Sequence, residues 1–138
     1  MTPRRAAPNA DSGSEDGSSV VEFVLVTILV LFLFLVVMQI GQVLHARNVL
    51  VAAAAEGARF GANADRADED GAVRALQVVA GSLPGTVADS ATARAVPRAA
   101  GADPQLVDIE LSSDLPVIFL KVGPLHLTVH GHALKEGG

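Results

Sequence analysis

The sequence predicts an α+β chain: a long N-terminal helix that crosses a membrane and continues outside it, a short second helix, and a small antiparallel β-sheet. Three observations predict this. From Phe23 to Met38 every residue is apolar except Thr27. Polar and apolar residues then recur at helical spacing as far as about Ala62. The final third alternates apolar and polar residues, as half-buried strands do.

Length and composition bound the possibilities. The chain has 138 residues, enough for one small domain beside a membrane segment. Its net charge is −5 and it has no Lys/Arg block; it carries five Phe, no Tyr and no Trp. Nucleic-acid binding needs a basic face and often stacking rings, so no nucleic-acid partner is expected. With no cysteine, a disulfide framework and a thiolate zinc site are both excluded.

Residues 1–17, MTPRRAAPNADSGSEDG, have no apolar period and are predicted to be a disordered leader. With its looser flank through Leu44, the apolar stretch is about 22 residues, roughly 33 Å as a helix, close to the thickness of a bilayer core. A secretory signal fits this stretch poorly. Arg4 and Arg5 are separated from the apolar run by Asp11, Glu15 and Asp16, and the run is longer than a signal core. The small residues Ala52–Ala55 could offer signal peptidase a site, but well past the run. The span is therefore placed at 18–44.

One carboxylate, Glu22, opens the apolar run. A charge costs on the order of 2–3 kcal/mol at the centre of a membrane and less near the interface. A helix N-terminus in the headgroup region would tolerate any anion through its dipole. That alone does not account for Gly-Ser-Ser-Val-Val-Glu-Phe as a unit.

Past the membrane, His45, Asn48, Glu56, Arg59 and Asn63 form one polar stripe, with Ala52 filling the gap. Ala46, Leu50, Ala54 and Ala58 lie on another face. One helix is thus predicted from about Ser19 to about Ala62, with residues 45–64 as its extramembrane continuation. Glu56 and Arg59 can pair at i,i+3 for a few tenths of a kcal/mol. Ala53, Gly57 and Gly61 make a small-residue stripe of the kind that lets helix backbones approach closely in membranes; because it lies beyond the span, the preferred reading is a Gly-weakened helix end with Gly61 near the cap. Gln39 and Gln42 mark the outer edge of the span.

Residues 65–138 are expected to form a small α+β domain. Asp65, Asp68, Glu69 and Asp70 precede a helix that carries Ala72, Val73, Leu76, Val79 and Ala80 at helical spacing and stops at Gly81 and Pro84. The acidic cluster lacks the spacing of a calcium loop. Thr86–Val96 reads as a further short helix. Three strands follow: Gln105–Ser112, with Val107, Ile109 and Leu111 on one face; Pro116–Val122, a short apolar run; and Leu125–Leu134, with Leu125, Leu127 and Val129 opposite His126, Thr128, His130 and His132. The apolar sheet face should pack on the outer half of the long helix.

The histidines raise the question of a metal. Along a strand His126 and His130 stand roughly 13 Å apart, and only His130 and His132, about 7 Å apart, could chelate. Two ligands make a weak site, so no metal and no cofactor are expected. There is no phosphate loop and no nucleophile with a matching His/Asp pattern, so the chain does not read as an enzyme.

Two segments, GSSVVEFVLV from Gly17 and AAAAEGARFGA over Ala52–Ala62, resemble the TadE-like pseudopilins of tight-adherence (Flp) pili, a branch of the type IV pilin-like proteins. The likeness covers roughly Gly17–Ala64 well and the C-terminal third loosely. The resemblance implies a pilin-like fold, a cytoplasmic N-terminus and an exocytoplasmic C-terminal domain. It implies cleavage between Gly17 and Ser18 by a prepilin peptidase, which makes Glu22 the fifth mature residue and puts Phe23 in the family's aromatic place. Glu22 would pair with the new amine of a neighbouring subunit and set the axial register. Glu56, Gly57, Ala58 and Arg59 would be the second family motif. Ser18 departs from the larger apolar first residue of many pilins. The implied partners are membrane lipid, the peptidase, other pseudopilins, the Flp pilin and the inner-membrane platform. The runner-up is an unprocessed single-pass anchor with an outer binding domain; a third reading, a domain released by signal peptidase, would start near Ala53–Glu56.

Overall fold

A computed structural model describes residues 15–63, 65–97, 106–117 and 123–135. Helix α1 covers Glu15–Gly61, α2 Asp68–Ser82 and α3 Gly85–Ala88; strands β1, β2 and β3 cover Thr92–Ala95, Leu106–Leu115 and Leu125–Leu134. Internal contacts divide the chain into two units, Met1–Met38 and Gln39–Gly138. The leader expected at 1–17 lies outside the described residues up to position 14.

In the first unit α1 exposes its large side chains all round, among them Val20, Phe23, Leu29, Phe32 and Phe34. The segment Gly17–Gly61 is long and apolar enough to cross a membrane. Thr27, the polar exception, turns its hydroxyl back to donate to the Phe23 carbonyl at 2.8 Å, which satisfies that hydroxyl within the helix.

The second unit begins where α1 acquires a buried side. Ala46, Leu50, Ala53, Ala54, Ala58 and Ala62 are buried, while His45, Asn48, Ala52, Arg59 and Asn63 are exposed. That is the division into faces expected from the helical period. The helix begins earlier than predicted, at Glu15 rather than Ser19.

Helix α2 starts with Asp68, Glu69 and Asp70 in its first turn, and the Asp70 carboxylate accepts the Ala67 N–H at 3.2 Å. It buries Gly71, Ala72, Ala75 and Val79, whereas Val73 and Ala80 of the expected apolar face are exposed. The inward face is chosen by small residues, for the reason given below.

The predicted helix over Thr86–Val96 is not formed. Only Gly85–Ala88 is helical, and Thr92–Ala95 is the edge strand β1. The Ala residues favour a helix locally, but cross-strand partners override that preference. Arg94 stands opposite Glu110 and Thr92 opposite Ser112, with a 2.8 Å hydroxyl–hydroxyl bond in the second pair. Strand β3 has the predicted bounds, and β2 runs three residues further than expected. Pro116 and Val117 belong to no strand, and the rest of the strand expected at Pro116–Val122 falls outside the described residues.

The sheet is antiparallel with order β1-β2-β3. On its inner face Val107, Ile109, Leu111 and Leu115 of β2 and Val129 of β3 are buried. One cluster joins Leu50, Ala54, Val79, Val87, Leu111, Leu115 and Val129; a second joins Ala58, Ala62, Ala72, Ala75, Val107 and Ile109. The apolar face thus packs on the outer half of α1, as its alternation predicts.

Among the described residues, Ser113 is the one buried polar side chain. Its hydroxyl donates to the Val87 carbonyl at 2.8 Å and lies 3.0 Å from Ser90 Oγ, which accepts the Asp114 N–H at 3.0 Å. This clasp ties the end of α3 to β2 and satisfies the buried hydroxyl.

Candidate functional site

The candidate residues fall in two groups, one in each unit. Gly17, Ser18, Glu22 and Phe23 lie in the first turns of α1, and all four are exposed. A Cβ on Gly17 would meet nothing within 4 Å. Among the described residues no side-chain hydrogen bond or ion pair is made by the Glu22 carboxylate.

Glu56, Gly57, Ala58 and Arg59 form one turn of α1 where α2 crosses it. A Cβ on Gly57 would come within 2.5 Å of the Gly71 carbonyl oxygen and 2.9 Å of the Ala75 Cβ; a Cβ on Gly71 would come within 2.5 Å of the Gly57 carbonyl oxygen. The two helices therefore touch backbone to backbone, and only glycine fits on either side. Gly61 continues the contact, its added Cβ 3.3 Å from the Asp68 carbonyl oxygen. The small-residue stripe is a close helix crossing, and α1 also ends at Gly61, where the sequence placed the helix end. Gly71, Ala72 and Ala75 face inward in α2 because no larger residue could.

The other motif residues follow from this crossing. Ala58 is fully buried beside Ala62, Ala72 and Ala75. Glu56 pairs with Arg74 of α2 at 3.6 Å, not with Arg59 as expected. Helix α2 brings a cation to Glu56 from across the crossing, while Arg59 is exposed in the last turn, where a cation complements the helix dipole. The motif is thus a folding element: two residues fill the crossing, one ties it and one faces solvent.

Sequence reasoning missed two partners of this region, Gly71 and Gly131. Gly131 of β3 lies directly on the backbone of Ala54 and Ala55 in α1, where a Cβ would overlap main-chain atoms. An isolated glycine inside an alternating strand was the available signal for it.

The outer face of the sheet carries Arg94, Asp108, Glu110, Asp114 and the histidines of β3. Arg94 makes a two-pronged bond to Glu110, 3.1 Å from Nε to Oε1 and 2.9 Å from Nη2 to Oε2. This hydrogen bond, above all, holds the Glu110 carboxyl below its ordinary range, and the same pairing raises the Arg94 guanidinium. His126 Nδ1 lies 2.7 Å from Asp114 Oδ1. His130 and His132 each place Nδ1 3.3 Å from Asp108 Oδ1, with their rings stacked at 6.2 Å. Among the described residues no group of three such side chains is arranged to hold a metal ion.

The architecture, a long apolar helix continuing into a small α+β domain with a three-stranded antiparallel sheet, is pilin-like. Residues 17–59 match the family model described as TadE-like protein. The match begins at Gly17, ahead of Glu22, and ends at Arg59, so it spans both candidate groups. Together with the apolar helix it fits a membrane protein related to the Tad pilus. No curated protein and no solved structure matches the chain.

Proposed function

We propose that the chain is a minor pseudopilin of a tight-adherence (Flp-type) pilus assembly system, held in the membrane by one span and processed after Gly17. The observation that carries this reading is the family match over residues 17–59, with Glu22 exposed near the start of the apolar helix. Cleavage would free the amine of Ser18. In a bundle of subunits Glu22 of one copy would meet that amine on the next, since a charge at a helix interface is tolerated when paired and costly when alone. The pair fixes the axial offset between copies, as a polar residue fixes register in a coiled coil.

The role is structural, with no catalytic step. Its partners are the prepilin peptidase, other pseudopilins, the Flp pilin and the inner-membrane platform, with the leader cytoplasmic and residues 45–138 outside. Support for the orientation comes from the family likeness.

Intact mass of protein extracted from membranes of cells that hold the matching peptidase tests the processing. A chain starting at Ser18 is expected, and a full-length chain favours the unprocessed anchor instead. Glu22→Ala tests the register: cleavage should persist while pilus assembly falls. Wild-type assembly by that variant would remove the role given to Glu22.

A further inference from the structure

We infer that the outer domain rests on the bilayer: the end of the sheet at which β2 finishes and β3 begins lies in the lipid headgroup layer, with Leu125 as its apolar contact. The inference rests on the reading of α1 as a membrane span and adds a second attachment to it. Depth along α1 sets the level. A hydrocarbon core of about 30 Å takes about 20 helical residues, so a span that opens at Phe23 leaves the core at about Gln42. The headgroup layer beyond it adds roughly 5–7 Å, or about three to five residues, which covers Val43–Arg47. The side chains agree with that boundary. Ile40 and Leu44 are each 54% exposed, and Gln42, His45 and Arg47 stand exposed among them with polar tips. Apolar bodies with polar ends suit the layer between hydrocarbon and water.

Packing brings one end of the sheet to the same level. Ala46 and Leu50 share a core cluster with Leu111 and Leu115 of β2, and Val43 and Leu127 pack against it. Ala58 and Ala62 instead meet Val107 and Ile109, with Ala133 packed against them. Strand β2 therefore runs back along α1 toward the span, and β3 starts at the span-proximal end. Leu115 stands opposite Leu125 there, while Leu106 stands opposite Leu134 at the far end.

The span-proximal end presents apolar surface. Leu125 is 40% exposed, and Pro116 and Pro124, each next to a strand end, are exposed as well. Leu134 is more exposed still, at 64%, so apolarity alone does not choose the membrane contact. Level chooses it. Leu134 adjoins Ala133, in the cluster of Ala62, and Ala62 lies about 24 Å further along α1 than Ala46, well beyond the headgroups. The occupant at Leu125 is lipid because the span holds the bilayer at that depth whether or not another protein is present.

The chain has no Trp and no Tyr, so a single introduced Trp reports alone. The full chain is placed in nanodiscs, one copy per disc, made of phosphatidylcholine that bears a nitroxide either on the headgroup or near the end of an acyl chain. Leu125→Trp should lose about half or more of its emission to the headgroup nitroxide and less to the deep one, and Phe32→Trp, in mid-span, should show the reverse order. Leu134→Trp should lose less than about a tenth to either. Pro124→Trp carries the same expectation as Leu125→Trp, so a folding fault at one position leaves the other to decide. Quenching of Phe32→Trp with none at Leu125→Trp or Pro124→Trp overturns the proposal and leaves the span standing. No quenching of Phe32→Trp overturns the proposal and the span together. Equal quenching at Leu125→Trp and Leu134→Trp overturns it too, because level along α1 would not then choose the contact. A blue shift of Leu125→Trp without quenching, seen only in discs that hold several copies, overturns it in favour of a second copy of this chain.

Discussion

The two parts of α1 obey different packing rules. From Val20 to Met38 the helix carries large side chains on every side and buries none of them. From Ala46 to Ala62 it is built mostly of alanine and glycine, and one side is sealed against α2 and the sheet. Where the surroundings would be lipid, bulk on all sides is what partitions the helix. Where the surroundings are protein, small residues let backbones come together, and binding depends on fit. Amphipathic periodicity is therefore visible only in the second part.

The comparison can be broken most forcefully at the glycines. Gly131→Val should cost about 3 kcal/mol or more and prevent the outer domain from folding, because the new side chain would occupy the space of the Ala54 backbone. Loss of soluble-phase protease resistance in detergent would register it. Gly57→Leu should act through the same overlap at Gly71.

A matched pair of substitutions sharpens the contrast. Leu50→Ala removes a fully buried side chain and should destabilise the domain by about 2–5 kcal/mol. Leu29→Ala makes the same chemical change in the same helix, at a side chain 65% exposed, and should leave domain unfolding in detergent unchanged. Equal losses at the two positions would mean that the first unit packs on something as specific as the second does.

Smaller effects belong to the ion pairs. Glu56→Gln should cost roughly 1 kcal/mol or less in chemical denaturation, since both partners of its bridge to Arg74 are more than two-fifths exposed. Glu110→Gln should give the smallest change, recognisable by its pH dependence. Arg94 depresses the Glu110 carboxyl, so the pair stabilises the fold above the ordinary glutamate range and loses that contribution as the pH falls through and below it. Thermal melts of wild type and variant should differ slightly at neutral pH and converge in acid.

Much of this was legible in the sequence. The span is read from an unbroken apolar run; the faces of the outer half of α1 and the alternation of β2 and β3 are periodic signals, and periodicity reports burial directly. Strand β1 was hidden because Thr-Ala-Arg-Ala reads locally as helix, and its strand identity comes from β2, far along the chain. The Glu56 partner was misassigned for a related reason: i,i+3 geometry names Arg59, but Arg74 arrives through tertiary packing. Gly57 and Gly61 could signal either a frayed end or a close crossing, and the spacing of one helix cannot distinguish the two. Gly71, on the other helix, decides it.

Gly131 has one more consequence. Among the described residues, strand β3 is an edge strand paired with β2 alone, and edge strands can slide along their neighbour. Sliding by two residues keeps the inward side inward, but it drives Val129 or Ala133 into the notch that only a bare α-carbon fits. The long helix thus acts as a ratchet pawl on the outermost strand, and the alignment of every imidazole with its carboxylate is locked by a residue that has no side chain.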